Sequence, residues 1–182
     1  MRAFIAINLS EETKQKIVKL ENNFKKHDLS FKWVNPDNLH LTLKFLGNIN
    51  QEQAEKVKEI ITKVSIKFTS FETNLKSFGF FPNKKKPKVF FISLDKEKLL
   101  LDIAEKLEKR LETLGFMKEN RFKSHITLAR IKDLKNIDKL MAELANTQLS
   151  GQLFVDSIIL YESNLTKEGP IYGKIFKSSM TA

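Results

Sequence analysis

One short pattern occurs twice in this chain and constrains its fold more than any other feature. The first copy reads His40-Leu41-Thr42-Leu43-Lys44-Phe45-Leu46-Gly47 and the second Ser124-His125-Ile126-Thr127-Leu128-Ala129-Arg130. Each sets His-x-Thr inside an alternating apolar run, and the histidines are 85 residues apart. Side chains alternate faces along a strand. In the first copy Leu39, Leu41, Leu43 and Phe45 therefore share one face, and His40, Thr42 and Lys44 share the other. In the second, Phe122, Ser124, Ile126 and Leu128 oppose Arg121, Lys123, His125, Thr127 and Ala129. Each strand packs one face and presents an imidazole and a hydroxyl together on the other. Under strict alternation Arg130 has the wrong parity for the His125 face and reaches it only if the strand bulges.

The segments around the two copies alternate between strand and helix patterns. Residues 2–9 read as a strand. Ser10 caps a helix with Glu11 and Glu12 in its first turn and Ile17, Leu20 and Phe24 inward, ending near Asp28. A short strand at 31–34 and the turn Asn35-Pro36-Asp37-Asn38 lead to strand 39–46. Asn50 caps a second helix, with Gln53 placed for a capping box. Residues 66–80 read as one long strand or a pair, 82–87 as a basic loop and 89–94 as a buried strand. Asp95 starts a third helix that stops at Gly115. The second motif strand is expected over 121–131, a shorter helix over 136–146, and final strands near 149–162 and 170–177. This order predicts an α+β fold of two pseudo-symmetric lobes, each an antiparallel sheet with outer helices, facing each other across a central cleft. Residues 1–182 are expected to form a single bilobal domain. No glycine-rich phosphate loop follows the first strand, which argues against a doubly wound parallel sheet.

Charge bears on partners. The 32 Lys and Arg against 22 Asp and Glu leave a formal charge of +10, which raises the local concentration of anions, nucleic acid foremost. The chain has no cysteine, so disulfide and thiolate chemistry are excluded. That composition, with no membrane-spanning apolar stretch and no signal-peptide core, leads us to expect a cytoplasmic protein without a membrane partner. No heptad or long apolar edge is evident, and a monomer is expected.

Two imidazoles lining one site suit acid–base work on a phosphodiester. An unperturbed histidine titrates near ~6.5, so one can accept a proton while the other donates one. Thr42 and Thr127 stand beside them to hydrogen-bond phosphate oxygens. Lys44, Lys123 and Arg121 add positive charge. His27 lies among Lys25, Lys26 and Asp28 at a helix end and reads as solvated. With no cysteine and no His-Glu motif of the metalloprotease kind, neither metal nor cofactor is expected. Trp33 and some of the 15 phenylalanines are candidates for stacking a base, although most of the phenylalanines read as core.

The pair His40-x-Thr42 and His125-x-Thr127 resembles the 2H phosphoesterase superfamily. More closely, the chain is similar to the RNA 2′,3′-cyclic phosphodiesterases, the LigT-like or 2′-5′ RNA ligase family, over essentially its whole length. Trp33-Val34, Asn38 to Gly47, and Phe122 to Arg130 carry the resemblance, together with the opening strand Arg2 to Ile7. Ser124 departs from it, standing where that family usually has proline. The resemblance implies a bilobal fold and metal-free hydrolysis of a terminal 2′,3′-cyclic phosphate on RNA to a 2′-phosphate. It also implies a reversible joining to 2′-5′ linked RNA. In it, His40 gives a proton to the leaving 3′-oxygen, His125 activates water, and Arg130 contacts the phosphate. Two rival readings are an RNA-binding module without turnover and a phosphodiesterase for another small cyclic nucleotide or 2′-5′ oligonucleotide.

Overall fold

The computed structural model describes residues 1–119 and 121–182. In chain order these residues form β1 (Arg2–Asn8), α1 (Glu11–Lys25), β2 (Phe31–Trp33), β3 (His40–Asn48), α2 (Gln51–Ser65), β4 (Phe71–Phe81) and β5 (Val89–Leu94). Then follow α3 (Glu97–Glu112), β6 (His125–Ile131), α4 (Ile137–Asn146), β7 (Gln152–Val155), β8 (Ser157–Thr166) and β9 (Gly169–Ser179). A one-turn 3-10 helix, Pro36–Asn38, sits between β2 and β3.

Local chemistry sets most of the boundaries. Ser10 Oγ accepts from the Thr13 N–H at the start of α1, and Asn50 and Gln53 close a reciprocal capping box on α2, which satisfies backbone donors that a helix leaves free. Asp95 does not cap α3 as expected. Its carboxylate accepts from the Asn74 backbone and side-chain amides at 2.8 and 2.7 Å and from Thr73 Oγ1 at 2.9 Å, which ties the β5–α3 turn to β4. Three strand boundaries also differ from expectation. The 66–80 segment becomes strand only at Phe71, after a turn that follows α2, and β6 begins at His125 rather than 121. The 149–162 segment breaks into β7 and β8 because its two parts pair with different neighbours, β7 with β4 and β8 with β1 and β9.

The strands follow one hydrogen-bonded path, β7-β4-β5-β6-β3-β1-β8-β9, with β2 on the β6 edge. All the strand pairings along it are antiparallel. The α+β fold of two antiparallel lobes forms as expected, with one refinement: their sheets are joined rather than separate. They meet at a seam between the two motif strands, where a single registered pair, Leu41 with Ile126, links β3 to β6. The seam is narrow because β6 spends the rest of that edge on β2, from Phe31 opposite Ile131 to Trp33 opposite Ala129. The Val34 N–H donates to the Leu128 carbonyl at 2.8 Å. The chain then turns away through Pro36–Asn38 and returns only at Leu41.

The repeat extends beyond the motif. Asn8, Ile7, Ala6, Ile5 and Phe4 of β1 face His40, Leu41, Thr42, Lys44 and Phe45 of β3. Ser93, Ile92, Phe91, Phe90 and Val89 of β5 face His125, Ile126, Thr127, Ala129 and Arg130 of β6. The second set is the first shifted by 85 residues throughout. The helices cross between the lobes. Phe24 of α1 packs on Phe78 of β4 and Phe90 of β5, and Thr13 donates to the Gln152 carbonyl of β7 at 2.6 Å. Glu108 of α3 pairs with Lys44 of β3. Each lobe is therefore covered by a helix from the other repeat.

The main core lies between the helices and the sheet and includes Ile5, Ile7, Leu41, Leu43, Phe90, Ile92, Ile126 and Leu128. Full burial of each such side chain is worth ~1.5–3 kcal/mol. A one-residue slip of β3 or β6 would exchange these residues for His and Thr, so the core fixes the register that turns the histidines outward.

Candidate active site

A bulge interrupts each motif strand at the same place. Leu43 is left without a partner between Thr42 opposite Ala6 and Lys44 opposite Ile5. Leu128 is left between Thr127 opposite Phe91 and Ala129 opposite Phe90. An extra residue reverses the alternation beyond it. Lys44, expected beside His40, is consequently on the helix side. It is 4% exposed, ion-paired with Glu108 and donating to the Met117 carbonyl at 2.6 Å. The expectation that Lys44 binds substrate is thereby corrected. The same device turns Arg130, exposed, onto the face of His125 and Thr127. At the equivalent place in the first repeat it presents Phe45, 59% exposed. Sequence reasoning missed Phe45 because strict alternation puts it in the core. The available signal was the 85-residue offset that equates it with Arg130.

The two histidines are held in the same way. The Nδ1 of His40 lies 2.6 Å from the Asn38 carbonyl, and the Nδ1 of His125 lies 2.7 Å from the Lys123 carbonyl. A carbonyl only accepts, so each Nδ1 carries the proton and each Nε2 is left for chemistry. The Nε2 of His40 is 2.8 Å from Thr42 Oγ1. The Asn38 side chain donates to the Pro170 carbonyl at 2.7 Å, so the β8–β9 hairpin steadies the turn that orients His40.

Aromatic rings wall both imidazoles. Phe4 and Tyr172 lie 4.9 and 5.3 Å from His40 between ring centres. Phe81 and Phe91 lie 4.9 and 5.5 Å from His125. Phe4, Ala6, Ile159 and Tyr161, with Tyr172 against them, form a small apolar cluster on this side of the sheet. Burial in these surroundings disfavours the charged imidazole and lowers both pKa values from the usual 6.5, opposed by the hydrogen bonds to Asn38 and Lys123. Each histidine is pushed further down by positive neighbours, His40 by His125 and Lys14, and His125 by Lys123. His125 is among the charges that lower His40, as expected of two imidazoles on adjacent strands within electrostatic reach across the seam. Burial raises Tyr172, while the charges of Arg130 and Arg2 draw it back down.

Lys123 stays on the site face, its ammonium 5.4 Å from the Phe91 ring centre and 5.8 Å from that of Phe81. It lines a hollow of about 180 Å³ beside His125 with Ser77, Gly79, Phe91, Ser93 and Glu97. The structure thus gathers His40, Thr42, His125, Thr127, Lys123 and Arg130 on one face and excludes Lys44. Two other sequence readings change. Trp33 packs on the helix side against Phe31 and Phe90, with the Lys25 ammonium 5.1 Å over it, and so is not placed to stack a base. His27 is paired with Glu143 of α4 rather than solvated. Among the described residues no helix is long and apolar enough to cross a membrane.

A model of the family described as LigT-like phosphoesterase matches the chain twice, over residues 7–91 and 92–172. The two matches coincide with the structural repeat. A Methanocaldococcus jannaschii protein named RNA 2′,3′-cyclic phosphodiesterase is 34% identical over 174 residues, covering 94% of this chain and 96% of its own. A Thermotoga maritima protein of the same name is 32% identical over 178 residues, covering 97% and 94%. The crystal structure of a Thermus thermophilus protein matches with a TM-score of 0.83 at 28% identity, covering 99% of this chain and 98% of the other.

Proposed function

We propose, from the premise that the chain belongs to the LigT-like phosphoesterase family, that it is an RNA 2′,3′-cyclic phosphodiesterase using two histidines and no metal. The name carried by relatives at about this length supports the substrate class. The observation that carries the mechanism is the matched pair of imidazoles, each with Nδ1 tied to a backbone carbonyl two residues upstream and Nε2 turned to the same face of the seam.

In this reading the cyclic phosphate lies over the seam. The Thr42 and Thr127 hydroxyls, with Arg130 and Lys123, hold its non-bridging oxygens, whose charge must be carried through the transition state. The Nε2 of His125 takes a proton from water as the water oxygen bonds to phosphorus. The bond from phosphorus to the 3′-oxygen breaks, and the protonated Nε2 of His40 gives that oxygen its proton. The product carries a 2′-phosphate. Each positioned proton transfer is worth about 10²–10⁴-fold. With the 5′-hydroxyl of a second RNA in place of water, the same forward step joins two RNAs: the 5′-oxygen bonds to phosphorus as His125 takes its proton, the bond to the 3′-oxygen breaks as His40 protonates it, and a 2′-5′ linkage results. The terminal base of the substrate has an exposed ring face to stack on, that of Phe45 beside Phe4, 6.1 Å between ring centres.

The test is incubation with an RNA oligomer ending in 2′,3′-cyclic phosphate in the presence of EDTA, with the product end mapped. A 2′-phosphate is expected. A 3′-phosphate reverses the bond assigned to break. Binding without turnover favours an RNA-binding module, and dependence on added metal rejects the two-histidine scheme.

A further inference from the structure

The seam and its two histidines are nearly symmetric, but the surfaces leading away from them are not. Beyond the bulge the first motif strand presents Phe45 where the second presents Arg130, and a second register shift after Phe45 sets Gly47 opposite Ala3, so nothing on that strand matches Lys132. The second motif strand also has a neighbour that breaks the repeat. β2 lies along the far end of β6 with Lys32 directly opposite Arg130. Residues opposite each other in an antiparallel pair project from the same face. The neighbours confirm that face. Phe31 and Trp33, on either side of Lys32, pack toward the helices with Phe90, as do Ala129 and Ile131 on either side of Arg130. Lys32 is exposed. Lys132 extends the ladder, its N–H donating to the Ser30 carbonyl at 2.9 Å, and it stands two residues beyond Arg130. The adjacent carboxylate, Asp133, is engaged by Ser30 Oγ at 2.6 Å and by the Lys135 N–H at 2.8 Å.

We infer that Lys32 and Lys132 continue the phosphate contact of Arg130 into a backbone track, so that RNA upstream of the cyclic phosphate runs over the β2–β6 corner. The inference rests on the proposed RNA cyclic phosphodiesterase reading and adds the path of the chain. Three cations spaced by one strand separation and one strand repeat, about 4.8 and 7 Å, suit successive backbone phosphates. Such contacts position a strand without reading its bases. Among the described residues none of the three is ion-paired in the way that Lys44 is with Glu108; Lys132 lies within the field of Asp133, but that carboxylate is already bound by Ser30 and the Lys135 N–H. The track would serve an RNA chain and be idle for a mononucleotide.

The decisive quantity is the ratio of kcat/KM for an RNA oligomer ending in 2′,3′-cyclic phosphate to that for a mononucleoside 2′,3′-cyclic phosphate, measured with intact protein. Lys32→Gln and Lys132→Gln together are expected to lower this ratio about tenfold, chiefly through KM of the oligomer. They should also flatten the salt dependence of oligomer kcat/KM by ~0.7 log units per log salt for each phosphate no longer engaged. Lys174→Gln is the control. It removes the same charge from the same side of the sheet in the other lobe, where Lys174 lies opposite Tyr161. A ratio unchanged by the Lys32 and Lys132 substitutions, or lowered as much by Lys174→Gln, overturns the track while leaving the proposed activity standing. Wild-type turnover of neither substrate overturns that activity and the track with it.

Discussion

At Leu43 and Leu128 one extra residue decides which side chains reach the face of the candidate site. The bulge sends Lys44 into an ion pair with Glu108 and brings Arg130 to the site. The two cations therefore respond differently to removal. Arg130→Ala is expected to lower kcat/KM roughly 10–100-fold, the loss of a charge-assisted contact, with little change in stability. Lys44→Met should leave KM close to wild type and cost roughly 1–3 kcal/mol of stability, because Glu108 and the Met117 carbonyl lose their partner. Denaturant titration alongside steady-state kinetics separates the two. In the proposed mechanism the histidines set the pH response. Both are lowered from 6.5 by burial. The base stays neutral to below that value, so the acid limb of kcat/KM lies below pH 6.5. The acid must be protonated, and its lowered pKa brings the alkaline limb down as well. A bell with its maximum on the acid side of 6.5 is expected in kcat/KM, which reports the free enzyme. A rate still rising above pH 8 would contradict it.

Among the elements, α1 and the β4–β5 pair carry the strongest demands. Glu21 of α1 is fully buried, it is ion-paired with Lys25 at 3.5 Å, and desolvation raises its pKa to about 7. A carboxyl raised in the folded state stabilises below its ordinary 4.5 and loses that contribution as pH climbs toward 7. Glu21→Gln should therefore stabilise the protein at pH 8, by an amount on the order of 2 kcal/mol, and make little difference at pH 4. Equal effects at both pH values would contradict this. On β4, a Cβ at Gly79 would lie 2.3 Å from the Phe91 ring, which stacks on Phe81 at 4.1 Å and walls His125. Gly79→Ala is expected to cost about 1–3 kcal/mol and to lower kcat by disturbing the His125 wall. The helices, the caps of α1 and α2 and the shared face of each His-x-Thr pair were legible in the sequence, because periodicity and capping residues are local signals. The bulges were not, since nothing in Leu43 or Leu128 distinguishes them from regular strand residues. Asp95 read as a cap because its bonds to Thr73 and Asn74 span more than 20 residues.

For the molecule as a whole, the exchange of helices matters most. The sequence shows two repeats and suggests two lobes made from two halves of the chain. In the structure α1 covers β4 and β5 while α3 reaches β3, a pairing of distant segments that no local pattern encodes. We propose that residues 1–182 form one cooperative domain, since neither repeat buries its own strands without a helix from the other. Trp33 fluorescence reports the β2–β6 lobe and far-UV circular dichroism reports all the helices, and their urea transitions should coincide. Two separated transitions would show lobes that fold independently. The seam places one histidine of each repeat on adjacent strands, the arrangement that the proposed mechanism uses as acid and base. The most direct test of that claim is kcat on an RNA oligomer ending in 2′,3′-cyclic phosphate for His40→Ala and His125→Ala, with folding checked by circular dichroism. Both variants should keep the fold and each lose about 100-fold or more. Either variant turning over within a few-fold of wild type would contradict the two-histidine account.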